Sequence, residues 1–404
     1  MDEVVTVDVA MGRLGRLEGY GLAVHPERCV RVRNRHASCA RCAQACTSGA
    51  LALRNGALVV DEGLCVGCGT CATVCPTCAI EARHPADAQL LEAAHRATRA
   101  GAVAFACHRA FEEAPAACAA ANAVELVCLS RMEESLAMQL FADGTQHVRL
   151  LHGACAVCPR ENGFASVQLV RDTIGELLAT WDMTCSYEVK QVCVEKNELA
   201  DSLAVQPSSA VANDSAASCL LASVPPNGAS ALLTPAPCEA APCKLAPRNT
   251  ATRKPAHVQA DGTLPHFVPL RRHALLDALA QCGLPAKPVL DTRLWGHVSI
   301  DMGKCKSCKM CAVFCPTGAL QKYMGEEGHG GVEHYPAECV YCGLCQDICP
   351  AGAITSSTAV PTQVLANGET QRYPMPDPAW TTGPDQILRK MTPQIHSREV
   401  QHSY

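Results

Sequence analysis

The sequence predicts two α+β domains, over residues 20–85 and 290–360, flanking a small α/β domain with a parallel sheet over 101–195 and a long flexible linker over 199–262. Three observations carry this. Cysteines gather into blocks of four near both ends, and short apolar runs follow the blocks. Between the ends, apolar strand-like runs alternate with helical patterns, the sequence form of parallel β–α–β units. The stretch 199–262 is rich in Ala, Ser and Pro with few charges, too little apolar surface to hold a fold.

Taken in order, Ala50-Leu51-Ala52-Leu53-Arg54 and Ala57-Leu58-Val59-Val60 flank Asn55-Gly56. Asn-Gly supplies the positive φ angles of a type I′ turn, so a hairpin is expected. Asp87 to Ala100 predicts a connecting helix stopped by Gly101. Strands are expected at Ala102–Ala106, Val124–Val127 and Val148–Leu151. Ser130-Arg131-Met132-Glu133 reads as a capping box opening a helix through Gln139, and another helix is expected from Ala165 to Trp181. A basic helix with Arg271, Arg272 and His273 ahead of Leu275 to Leu279 precedes the last domain. There, Ala319–Lys322 and Val332–Tyr335 predict paired strands joined by a longer turn carrying Gly325, Gly328, Gly330 and Gly331.

A chain of 404 residues has room for two to four domains. Its 28 cysteines fall largely in C-x-x-C spacing, which points to metal ligation rather than disulfides. Formal charge is −5, and thiolate ligands would make the loaded protein more acidic. Basic residues form no long stripe and aromatics are 4%, which excludes a nucleic-acid binder. Met1-Asp2-Glu3 lacks the basic start of a signal peptide, and no stretch approaches 18 uninterrupted apolar residues. No membrane span is expected, and a reducing cytoplasm is the expected location. Gly12, Gly15, Gly19 and Gly21 lack dinucleotide-binding spacing, and neither a Walker A sequence nor a Ser/His/Asp arrangement is legible.

Three blocks share one spacing, C-x2-C-x2-C-x3-C-P: Cys65, Cys68, Cys71 and Cys75; Cys305, Cys308, Cys311 and Cys315; Cys339, Cys342, Cys345 and Cys349. Three thiolates so spaced wrap one [4Fe-4S] cluster, while the fourth reaches a neighbouring cluster. Zinc modules instead use C-x2-C pairs separated by a longer gap. The rule assigns Cys305, Cys308, Cys311 and Cys349 to one cluster, and Cys339, Cys342, Cys345 and Cys315 to another. It assigns Cys65, Cys68, Cys71 and Cys46 to a third, and Cys39, Cys42 and Cys75 to a fourth. That last set lacks one ligand. Regular spacing puts His36 there, as in Rieske-type histidine ligation, whereas Cys29 would reach in through an enlarged loop; the all-thiolate shell favours Cys29. Cys78, which stands where the last domain has Gly318 and Gly352, reads as a turn residue. Arg28, Arg31, Arg33, Arg35 and Arg41 read as a solvated basic face, or as a docking surface for an acidic partner, with Lys304, Lys306 and Lys309 corresponding at the other end.

These blocks, with Cys-Pro-Thr-Gly-Ala at 315–319 and Cys-Pro-Ala-Gly-Ala at 349–353, resemble bacterial two-cluster ferredoxins. The resemblance implies a ferredoxin-like fold for both end domains and four [4Fe-4S] clusters. In the α/β domain, Cys107, Cys128, Cys155 and Cys158 fall beyond the expected strand ends, where parallel sheets place their binding crevice. They read either as buried structural cysteines or as ligands of an additional [2Fe-2S] or [4Fe-4S] cluster. The run Val127-Cys128-Leu129-Ser130-Arg131, then His152-Gly153-Ala154-Cys155 and Asn162-Gly163, resembles the delta subunit family of methyl-viologen-reducing hydrogenases. Those subunits carry a [2Fe-2S] cluster and pass electrons between hydrogenase and flavin-containing modules. The expectation is an electron-transfer subunit rather than a stand-alone enzyme. Its partner would be a hydrogenase- or molybdopterin-type oxidoreductase of anaerobic metabolism, or a flavoprotein. Two rivals are a redox enzyme with a substrate or flavin site in the middle domain, and a redox-responsive assembly protein using the linker and its Cys219, Cys238 and Cys243.

Overall fold

The computed structural model describes residues 21–54, 57–61, 63–160, 162–192, 259, 262–325 and 330–375. The N-terminal domain has four short strands: β1 (Leu22–Val24), β2 (Leu51–Arg54), β3 (Ala57–Val60) and β4 (Ile80–Ala82). β2 and β3 form the expected antiparallel hairpin, Leu51 opposite Val60, although Asn55 and Gly56 lie outside the described residues. β1 pairs with β4, Leu22 opposite Ala82, which closes the domain on itself. Leu22, Leu51, Leu58 and Ile80 bury against Cys71 and Ala72, so the core is built around the cysteine loops.

The middle domain is a four-stranded parallel sheet: β5 (Ala102–Cys107), β6 (Val124–Leu126), β7 (His147–His152) and β8 (Ser186–Gln191), in the order β6-β5-β7-β8. The expected strands are three of these. β8 was not anticipated, because Ser186-Tyr187-Glu188-Val189-Lys190-Gln191 is polar enough to resemble a loop and lies at the sheet edge. The helix from Asp87 stops at Ala97 rather than Ala100, since Ala100 and Gly101 turn the chain at φ 48° and 73°. Ser130 is not a helix cap. It sits in a 3-10 turn (Leu129–Arg131), and the following helix, Glu134–Ala142, is capped by the Glu133 carboxylate accepting from Ser135 N. Ser130 Oγ instead pairs with Thr70 Oγ1 of the neighbouring domain at 2.6 Å. The helix Asn162–Thr180 covers the same core.

The basic helix forms over Leu270–Gln281, but it is no free-standing connector. Leu275, Leu276 and Leu279 share a core with Met138 and Leu140, and Arg271 donates to Asp87 Oδ2 at 3.3 Å and to Ala72 O at 2.7 Å. The C-terminal domain follows with β9 (Val289–Asp291), β10 (His297–Ile300), β11 (Leu320–Met324), β12 (Gly330–His334), β13 (Ile354–Ser357), β14 (Ala359–Pro361) and β15 (Gln371–Pro374). β11 and β12 pair as expected, and β15 adds a third strand. A Cβ on Gly331 would sit 2.1 Å from Tyr373 O, so only glycine permits that addition. Gly328 in the intervening turn lies outside the described residues.

The described residues belong to one compact unit, in which the two end domains meet directly. Val30 and Ala37 pack with Leu264, Val313, Phe314 and Leu344. This overturns the solvated basic face. Arg33 is 6% exposed and donates to Phe314 O, Cys315 O, Pro265 O and Glu27 O at 3.0–3.3 Å. Arg41 donates to Tyr341 O at 2.9 Å, Arg28 to Glu81 and Cys78 O, and Arg31 to Ala37 O; of the five, Arg35 is the exposed one. Sequence spacing makes such arginines look like a surface because it cannot show backbone carbonyls arriving from 280 residues away. Nearly all of the expected linker, with Cys219, Cys238 and Cys243, lies outside the described residues. No helix among the described residues is long and apolar enough to cross a membrane.

Candidate iron–sulfur centres

In the C-terminal domain, Cys305, Cys308, Cys311 and Cys349 line one cavity of about 380 Å³. Cys315, Cys339, Cys342 and Cys345 line a second of about 410 Å³. The loops reach this arrangement through left-handed residues: Ser307 and Lys309 in the first, Tyr341 and Gly343 in the second, at φ 48–79°. Each such residue reverses the backbone between cysteines, so that successive thiols face inward. Short helices, Met310–Phe314 and Leu344–Asp347, then carry the fourth cysteine of each block to the other cavity. Backbone N–H groups point at sulfur: Ser307 at Cys305, Leu320 at Cys315 and Ala353 at Cys349, at 3.3–3.4 Å. Donors so placed favour the charged, ligating form of a thiol.

The N-terminal domain repeats this plan. Cys46, Cys65, Cys68 and Cys71 line a cavity of about 320 Å³, and Cys29, Cys39, Cys42 and Cys75 line one of about 350 Å³. Cys29 is buried at the mouth of the short helix Val30–Arg33. His36 is exposed and receives Arg35 Nε at 3.3 Å; it does not line the cavity. Cys78 sits at φ 51°, matching Gly318 and Gly352 at φ 76° and 56°, a turn position as expected. Hydroxyls unanticipated from sequence surround Cys68: Thr47 Oγ1 at 3.2 Å and Thr70 Oγ1 at 3.3 Å. The signal was present, since Met310 and Leu344 occupy the position of Thr70 in the other two regular blocks.

The middle domain brings together Cys107, Cys128, Cys155 and Cys158 around a cavity of about 420 Å³. Cys107 ends β5, Cys128 follows β6, and Cys155 and Cys158 bracket the 3-10 turn after β7, so the site lies beyond the C-terminal ends of the parallel strands. His152 Nδ1 is 3.4 Å from Cys155 Sγ and 2.7 Å from Gly153 O. Glu113 accepts from Ala154 N at 2.8 Å, pairs with Arg109, and thereby holds the cysteine loop. Sequence reasoning missed Arg109 and Glu113, whose spacing carries no ligand pattern, and quoted His152 only within the resembling run.

Burial first, with neighbouring cysteines adding in the same direction, pushes the thiols of Cys42, Cys155 and Cys339 up to about 12, at Cys339 against a backbone donor from Tyr341. Cys71, Cys311 and Cys342 rise for the same reasons. Cys46 is the exception. Burial would raise it, but hydrogen bonds from Ser48, Leu51 and Ala50 outweigh burial and lower it. A set of four mutually repelling buried thiols needs a strong cationic centre to hold them as thiolates. Among the described residues no three His, Cys, Asp or Glu side chains converge tightly enough to hold a single metal ion. One zinc would demand four sulfurs about 2.3 Å from a common point. Each quartet instead lines its cavity as four separate thiols, with no three side chains drawn to one point.

Two family models match the chain. Residues 304–353 match the 4Fe-4S dicluster domain, and residues 58–81 match the 4Fe-4S binding domain. The chain therefore carries ferredoxin-type 4Fe-4S domains near both ends, with a parallel sheet between them, and binds at least two [4Fe-4S] clusters. No curated protein and no solved structure matches it. The 4Fe-4S binding domains suggest iron–sulfur electron transfer.

Proposed function

We propose that this chain is an electron-transfer protein that holds four [4Fe-4S] clusters in its end domains and one further cluster in its middle domain. The observation that carries the proposal is the sorting of twenty cysteines into five cavities, four to each. In the end domains each quartet draws three cysteines from one block and one from its partner block. Cys29 completes the irregular set in preference to His36. A bound cluster supplies reversible one-electron chemistry with little change of geometry. The residues supply the rest: thiolates as ligands, backbone N–H groups and the Thr47 and Thr70 hydroxyls as donors to sulfur, and the surrounding apolar side chains as a barrier to water.

The middle quartet is read as a cluster site because all four thiols face one cavity at the ligand-binding edge of a parallel sheet. Its resemblance to hydrogenase delta subunits favours a [2Fe-2S] centre there and a role as a subunit serving a hydrogenase- or molybdopterin-type oxidoreductase or a flavoprotein. Anaerobic iron and sulfide analysis with EPR tests the proposal. About 18 irons per chain are expected with a [2Fe-2S] middle centre and about 20 with a [4Fe-4S] one. Fewer than about ten would overturn it. Cys29→Ala should remove about four irons while His36→Ala removes none; the reverse result would reassign the ligand.

A further inference from the structure

We infer that the five cysteine quartets stand in a single series, with the Cys107 quartet at one end and the Cys305 quartet at the other, joined across the domain boundaries by two specific junctions. The order rests on the proposed reading of the quartets as cluster sites. Within each end domain, short helices fix the neighbours. The helix Arg41–Gln44 carries Cys42 to one cavity and delivers Cys46 to the other, and Thr70–Val74 does the same with Cys71 and Cys75. One helical turn, about 5.4 Å of rise, separates the two ends of such a link. Cys311 with Cys315, and Cys345 with Cys349, couple the two C-terminal cavities in the same way.

The first junction joins the two end domains beside Cys39 and Cys342. Ser38 donates to Asp347 Oδ2 through its N–H at 2.7 Å and its hydroxyl at 2.9 Å. Arg41 donates to the carbonyl of Tyr341, the residue before Cys342, and Cys39 and Cys342 border the same apolar cluster. Thus the Cys29 quartet neighbours the Cys315 quartet. The second junction joins the N-terminal and middle domains. Thr70 Oγ1, 3.3 Å from Cys68 Sγ, is 2.6 Å from Ser130 Oγ, which also donates to Cys68 O at 3.4 Å, and Ser130 Oγ and Cys128 Sγ both border Gly163. Thr73 Oγ1 donates to Ser130 O at 2.7 Å. Glycines allow this approach from both sides: a Cβ on Gly69 would lie 2.7 Å from the Arg131 side chain, and one on Gly163 would lie 3.1 Å from Cys128 Sγ. Here is the use of Ser130 that its expected capping role concealed.

Series order gives the chain two terminal sites rather than five equivalent ones. Exposed side chains flank both ends: Val157 (69%) and Val127 (41%) beside the Cys107 quartet, Lys304 (side chain 66%) and Met302 (40%) beside the Cys305 quartet. Exchange between neighbouring sites is a one-electron oxidation of one and reduction of the next, with no bond broken and no proton moved. Donor and acceptor proteins would accordingly meet opposite ends of the series.

The test is EPR relaxation of the middle-domain signal in anaerobically reconstituted full-length protein. Cys65→Ser/Cys68→Ser should remove about four irons and free the middle signal from its magnetic coupling. Cys305→Ser/Cys308→Ser should also lower the iron count but leave the middle signal unchanged. Equal effects from the two variants, or an effect from the second alone, would overturn the order. A wild-type chain with a full complement in its end domains but no middle signal would overturn the middle-cluster reading and the Cys107 end with it, and the iron count separates that failure from a wrong order.

Discussion

Arg33→Ala should loosen the two end domains from each other. The guanidinium is nearly sealed from water and donates four hydrogen bonds, to Phe314 O at 3.2 Å, Glu27 O at 3.2 Å, Pro265 O at 3.0 Å and Cys315 O at 3.3 Å. A hydrogen bond to a charged group is worth about 1.5–3 kcal/mol. Four do not add, because the desolvation cost of the guanidinium disappears with it. What remains is a set of carbonyls stripped of donors and a vacated volume beside Phe267, whose ring Arg33 overlies at 5.5 Å. A net loss of about 3–5 kcal/mol follows, in the range for breaking a buried charged contact from one side. Anaerobic urea unfolding, followed by circular dichroism and cluster absorbance, should show a transition moved down by about 1 M or more. Arg33→Lys should recover less than half of the loss, since three donors on a point charge cannot span four carbonyls. A shift of Arg33→Ala stability within about 0.5 kcal/mol of wild type would refute the reasoning.

Gly69 and Gly343 share φ 79° and the same place in their cysteine blocks, but a Cβ meets Arg131 at the first and open space at the second. Both alanine variants pay the left-handed strain, and Gly69→Ala should be destabilised by about 1–3 kcal/mol more in denaturant unfolding. In the cluster-free chain, Cys42, Cys155 and Cys339 have folded values of about 12 against an ordinary 9.0, raised chiefly by burial with neighbouring thiols adding. Raised folded values stabilise fully below the unfolded value, so cluster-free protein should lose stability as pH climbs from about 9 towards 12, and a flat alkaline melting profile would count against the buried quartets. His334 is fully buried with neither ring nitrogen hydrogen-bonded, and burial lowers its pKa to about 3. Its contribution is present above the ordinary value and lost as pH falls towards 3; His334→Leu should therefore flatten the acid side of a stability–pH curve measured from pH ~7 to ~3.

The cysteine blocks were legible because ligand spacing is local: three thiols within seven residues can face one point only through a tight loop, and the sequence prints that loop directly. The hairpin β2–β3 and strands β5 to β7 were legible for a similar reason, as apolar runs bounded by turn residues. What stayed hidden is long-range. β8 and β15 are edge strands whose polar residues obey no core pattern, and the arginines near the first block look identical whether they face water or a carbonyl from another domain. Ser130 shows the limit most plainly. Ser-x-x-Glu is a fair capping signal, but the hydroxyl is claimed by Thr70 from the neighbouring domain, and Glu133 takes over the cap.

Arginine donation recurs at the joints between domains, beside apolar packing and hydroxyl contacts. Arg33 donates to carbonyls of the C-terminal domain, Arg271 to Ala72 O and Asp87, and Arg131 to Pro85 O with Asp87 as its ion-pair partner. The carbonyls so reached lie in loops, as at Pro85 and Pro265, or at helix ends, as at Phe314 and Cys315, where backbone ladders stop supplying donors. Apolar packing would bury those groups unpaired at a cost of about 1–3 kcal/mol each. An arginine offers five donors in a rigid fork, enough to satisfy several carbonyls at once while its stem fills the gap. At the end-domain joint the forks work beside aromatic rings, Arg33 over Phe267 and Arg41 over Tyr341. Replacing any one by leucine of similar bulk should then destabilise rather than strengthen the joint, the opposite of what a purely apolar interface would do.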